Sequence, residues 1–178
     1  AETINLIVQL DMEVEELPDG TERRNRWVSE IVAISPGEKD LGYAPPGKVR
    51  VELVSSAGEL AKVSTLTKEA IKTTGTIAIC KFNKLMVTSP RAAVRGYDWL
   101  DTLAHEYTHL VVSRKSRNTV PIWLHEGYAK YLESRWRGPY GGAMTPSTLA
   151  LLGERVRKNT LVPFAKMHPS MALLPSAE

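Results

Sequence analysis

Residues 105–109 read His-Glu-Tyr-Thr-His, and this pattern carries chemistry only if the segment is helical. Histidines four positions apart then share one face, one turn apart, and both imidazoles can reach one metal ion. Glu106 lies between them on the same side, angled toward a metal-bound water rather than the metal. Zinc lowers the pKa of such a water to about 7, and a nearby carboxylate can take its proton and pass it to a leaving group. The pattern predicts a hydrolytic zinc site with His105 and His109 as ligands and Glu106 as the base. A long amphipathic helix is expected from Trp99 to about Lys115, with Leu100, Leu103, Ala104, Leu110, Val111 and Val112 as its apolar residues. Asp98 is suited to cap it, Asp101 adds negative charge to its first turn, and Arg114, Lys115 and Arg117 suit its C-terminal end.

Two histidines do not complete a catalytic zinc site, which usually has three protein ligands and an open position. Sixteen residues follow His109 before Glu126, which stands in a second predicted helix from Pro121 to about Trp136, stopped by Gly138-Pro139. An antiparallel pair joined by a short turn brings Glu126 back toward His105 and His109. Gly127 costs about 1 kcal/mol inside a helix and is tolerable if it lets the two helices approach closely. His125 points about 100° away from Glu126 and is read as a packed or exposed histidine before a fourth ligand.

His-Glu-Tyr-Thr-His followed by Pro-Ile-Trp-Leu-His-Glu-Gly-Tyr-Ala-Lys-Tyr-Leu-Glu resembles the gluzincin zinc metallopeptidases, specifically their small peptidase-MA-like domains. In those, HExxH is followed by a segment of the form P-x-W-L-x-E-G-x-A-x-Y-x-E. The match here falls on Pro121, Trp123, Leu124, Glu126, Gly127, Ala129, Tyr131 and Glu133. The resemblance covers about residues 41–137. It implies a zincin-like, thermolysin-like α+β core, with a small mixed sheet packed on an active-site helix and a glutamate helix. It also implies Zn2+, peptide-bond hydrolysis and a peptide or protein substrate. Related proteins attach such a domain to helical repeats, so repeat regions in a longer parent are expected.

Two departures stand out. Lys130 occupies a position where thermolysin-like enzymes carry an Asp that braces a zinc histidine, so another acceptor must serve, with Asp101 and Glu133 as the candidates. Leu161-Val162-Pro163-Phe164 resembles a segment after which similar domains continue, so truncation after Glu178 is expected. Tyr140 and His168 are the candidate oxyanion donors. These departures keep an alternative open, a catalytically impaired scaffold that binds a protein partner, although a purely structural site has no need of Glu106.

The remaining residues bound the architecture. The chain has 178 residues, which is one ordinary domain, with residues 1–40 the least readable. Alternation at Ile4–Leu10 predicts a strand, and Trp27, Ile31 and Ile34 predict a helix over Thr21–Ser35. Lys48–Val54 alternates charged and apolar residues as a half-buried strand. Short helices are expected at Gly58–Val63 and Lys68–Thr73, the second capped by Thr67. Thr76–Lys81 and Leu85–Thr88 read as strands, Leu85–Thr88 as an edge strand, and Pro146–Lys158 as a helix. Trp99, Trp123 and Trp136, the tryptophans of the two main helices, are assigned to core packing. The single cysteine, Cys80, sits in an apolar run and reads as a buried structural thiol. A formal charge of +3 and two short basic clusters without interleaved aromatics do not call for nucleic acid. No apolar run reaches membrane-span length, and the N-terminal residues do not read as a secretory signal, so a soluble chain is expected, its compartment unassigned.

Overall fold

Val49, Val51 and Leu53 alternate along a strand that pairs on both sides. The computed structural model describes residues 8–16, 22–31, 40–46, 49–137 and 144–168, with side chains from residue 40 onward. Its strands are β1 (Val8–Glu16), β2 (Glu22–Ile31), β3 (Val49–Val54), β4 (Ala78–Lys81) and β5 (Lys84–Thr88). They form one sheet in the order β1-β2-β3-β5-β4. Strands β3 and β5 are parallel, and every other neighbouring pair is antiparallel.

A parallel pair needs a crossover. Helices α1 (Ala57–Val63) and α2 (Lys68–Thr74), with β4, provide it. Ser56 and Thr67 cap the two helices by accepting from the N–H groups of Glu59 and Ala70. Helix α2 ends at Gly75, whose φ of 66° is the left-handed conformation glycine adopts without strain.

Helices α3 (Trp99–Ser116), α4 (Ile122–Leu132) and α5 (Pro146–Arg157) follow. The chain is therefore α+β. Leu103, Tyr107, Leu110 and Val111 recur at helical spacing and seat α3 against Val49, Val51, Leu85 and Val87. Leu60 and Ile71 cover the opposite face, against Val54 and Met86. Burial of each large apolar side chain contributes about 1.5–3 kcal/mol, which fixes α3 firmly on the sheet.

Several expectations are corrected. The predicted helix over Thr21–Ser35 is strand β2 across Glu22–Ile31, where Trp27–Ile31 pair with Val49–Leu53; its flanks at 21 and 32–35 lie outside the described residues. Of the expected Ile4–Leu10 strand only Val8 onward is described, and it continues to Glu16. Leu85–Thr88 is not an edge: β5 lies between β3 and β4, and β4 is the outermost strand on that side among the described residues. Its Leu85, Met86 and Val87 are all fully buried, because helices cover both faces. The same cover makes Glu52 of β3 buried instead of solvated, with Lys84 Nζ at 3.0 Å and Arg50 Nε at 3.3 Å from its carboxylate. Helix α4 is shorter than expected, and its continuation at Arg135–Arg137 is a 3-10 turn. Asp98 begins α3 without a side-chain cap, and its carboxylate lies 3.5 Å from Arg137.

The α5 boundaries agree with the sequence reading, but none of its residues is buried, and Leu149, Leu151, Leu152 and Val156 are exposed. Among the described residues, no helix is long and apolar enough to cross a membrane.

Candidate metal centre

Helix α3 ends with Arg117 and Asn118 at φ 52° and 60°, and the N–H of Asn118 donates to the Ser113 carbonyl at 3.0 Å. These left-handed residues turn the chain sharply, and Pro121 then starts α4. The contacts that result descend α3 while climbing α4: Ser113 meets His125, His109 meets Glu126, His105 meets Glu133, and Asp101 meets Trp136. The two helices are thus antiparallel. Residues 101, 105, 109 and 113 form one polar row at four-residue spacing.

In the middle of this row three donor atoms converge. His105 Nε2 and His109 Nε2 are 3.1 Å apart, and Glu126 Oε2 is 3.5 Å from each. Ligands bound tetrahedrally to zinc at about 2.0–2.2 Å lie about 3.3–3.6 Å from one another, so this triangle has close to the size of one face of such a site. The three residues fit a metal ion, and they form a metal-capable group among the described residues. Glu126 remains partly open to solvent. The two histidines hold its carboxyl well below the usual carboxylate range. Burial disfavours the charged form of His105, but Glu126, Glu106 and Glu133 outweigh it and raise its pKa.

Glu106 stands apart from the triad. It is buried, and the backbone N–H of Cys80 on edge strand β4 donates to its carboxylate. Burial raises its pKa against the lowering influence of His109 and His105. A carboxylate that is desolvated, fixed by an edge strand and adjacent to a metal-capable triad can accept and return a proton. The Cys80 thiol is pushed up to about 12 by burial and then by Glu106, which makes it a poor nucleophile.

Each histidine has a partner on its other ring nitrogen. His105 Nδ1 lies 3.2 Å from Glu133 Oε2, and Lys130 Nζ holds the opposite oxygen, Oε1, at 2.5 Å. Glu133 thus takes the bracing position, seven residues after Glu126, and Lys130 neutralises it from the solvent side. Asp101, the other candidate, is engaged elsewhere: it accepts from Trp136 Nε1 at 2.9 Å and from both sides of the Arg137 guanidinium. His109 Nδ1 lies 2.6 Å from His125 Nδ1, and His125 Nε2 lies 3.2 Å from Ser113 Oγ. The motif itself does not mark His125 and Ser113 as partners of His109. The signal available was the continuation of the four-residue row from Asp101 to Ser113.

Other expectations fare unevenly. A Cβ added at Gly127 would meet nothing within 4 Å, so close helix approach is not what this glycine serves. Tyr140 lies outside the described residues, and His168 is exposed beyond the short turn Phe164–Met167. Trp99 packs against the main cluster as expected. Trp123 instead stacks on the exposed Phe164, with ring centroids 4.5 Å apart.

No family model, curated protein or solved structure matches the chain.

Proposed function

We propose that this chain is a zinc-dependent peptidase of the gluzincin type, built on a thermolysin-like core. His105, His109 and Glu126 hold the metal, and Glu106 acts as general base and then general acid. The observation that carries the reading is the triangle of donor atoms at 3.1, 3.5 and 3.5 Å with a buried carboxylate beside it that is not part of it. A structural metal site has no use for that fourth group.

When bound, zinc supplies Lewis acidity, polarising a carbonyl and lowering the pKa of a water to about 7. Glu106 takes the proton from the attacking water and delivers it to the departing amide nitrogen. Burial favours its protonated form, which suits the second half of that exchange. The Cys80 N–H orients the carboxylate. Strand β4 has one strand neighbour among the described residues, so its other side can receive an extended peptide through backbone hydrogen bonds.

The test is metal analysis paired with Glu106→Gln. Wild type is expected to hold about one zinc per chain and to cleave peptides. Glu106→Gln should keep the metal and lose turnover by about 100- to 10,000-fold. Zinc retention with no cleavage of a broad peptide library would favour the alternative, a scaffold that binds a protein partner. No zinc uptake when zinc is supplied would end both readings.

A further inference from the structure

His125 and Ser113 play no part in the proton transfers above, yet they meet at the back of His109. The rings of His109 and His125 are inclined by only 22°, with centroids 4.8 Å apart. That separation matches the 2.6 Å nitrogen gap plus the two ring radii, so the imidazoles lie nearly edge to edge in one plane and are not stacked face to face. This is the arrangement of an in-line N–H···N hydrogen bond.

The protons can be assigned along the chain. With His109 Nε2 facing the donor triangle, the proton of its neutral ring sits on Nδ1. His125 Nδ1, at 2.6 Å, must then accept, which puts the His125 proton on Nε2. That N–H points at Ser113 Oγ, 3.2 Å away, which accepts it. Both ends of the chain are anchored on α3, Ser113 being one turn after His109, while His125 comes from α4 beside Glu126. One hydrogen-bonded unit therefore fixes the tautomer and ring angle of His109 and ties them to the helix that carries Glu126.

We propose that His125, held by Ser113, is a positioning residue that orients His109 for metal binding, as Glu133 does for His105. The proposal rests on the metal-site reading above. It gives the two histidines unlike supports, an anionic one for His105 and a neutral one for His109.

The experiment compares wild type, His125→Leu, His125→Asn and Ser113→Ala on the full chain. Zinc affinity is read by chelator competition, and ligand geometry by the visible absorption of the cobalt(II) form. Leu keeps apolar bulk and offers no acceptor. Asn offers Oδ1 to His109 and an amide N–H to Ser113. Removing such a partner typically weakens metal binding by about 10- to 100-fold. His125→Leu should show that loss and altered cobalt bands, His125→Asn should recover most of it, and Ser113→Ala should fall between. Thermal unfolding of the metal-free chains checks that each variant folds. The proposal is overturned if His125→Leu binds zinc within about twofold of wild type, or if Asn rescues nothing. If the Leu variant does not fold, Ser113→Ala decides: weakened zinc supports the relay, and wild-type affinity overturns it. Wild type that takes up no zinc would instead overturn the metal-site reading beneath it.

Discussion

His105 and Glu133 lie 28 positions apart in the sequence and face each other at 3.2 Å, Nδ1 against a carboxylate oxygen. Lys130 grips the other oxygen of the same carboxylate. Glu133→Ala should therefore weaken zinc binding by about 10- to 100-fold. Lys130→Ala should change it by less than about threefold, because the Lys130 side chain is largely exposed and its ion pair is solvent-screened. Chelator competition measures both. Equal losses in the two variants would argue against Glu133 as the brace.

Asp101 closes the far end of the helix pair and touches no member of the triad. Asp101→Ala would leave Trp136 Nε1 and the Arg137 guanidinium without this acceptor. The expected cost is about 0.5–1.5 kcal/mol of stability, from the Trp136 hydrogen bond alone because Arg137 is exposed and finds water, read from denaturant midpoints. Zinc affinity per folded molecule should stay at the wild-type value. A selective loss of metal binding would show that Asp101 supports the site after all.

Gly127 sits in α4 with open space where a side chain would go. Gly127→Ala should raise stability by about 1 kcal/mol, the usual helix-interior difference between the two residues. A destabilised variant would mean that the glycine serves a contact this geometry lacks.

Cys80, half-buried against the main cluster where the sequence predicts full burial, supplies a test by pH. Its thiol titrates near 12 in the fold against an ordinary 9.0. The protonated form is favoured by folding, so this contribution to stability is fully present below pH 9.0 and is lost as pH rises toward 12. Alkylation by iodoacetamide at pH 8 should be far slower in the folded chain than in denaturant, and native reactivity should climb only at strongly alkaline pH. Rapid labelling of folded protein at pH 8 would contradict a raised thiol pKa at this half-buried position.

The donor triangle was legible in the sequence. His105 and His109 needed only the helical period, whereas Glu126 needed a third-ligand requirement and the resemblance of the segment 121–133 to the gluzincin pattern. Glu133 could be named but not chosen over Asp101, because the choice depends on how far α4 rises past α3. The sheet was read less well. Trp27, Ile31 and Ile34 are too few to fix a period, and the antiparallel ladder between Trp27–Ile31 and Val49–Leu53 decides for a strand. Leu85–Met86–Val87 is an unbroken apolar run, a pattern that fits an interior strand better than an edge. Which strand lies outermost depends on long-range pairing, which no local period encodes.

The row Asp101, His105, His109 and Ser113 has a consequence for how this chain tolerates insertions. Lengthening the 117–121 connection changes only loop closure, at about 0.6 kcal/mol per doubling. One residue inserted within α3 between 101 and 113 would rotate everything beyond it by about 100° and carry part of the row off the face that meets α4. The site is thus indifferent to the hinge between its helices and intolerant of any change of phase inside the first one.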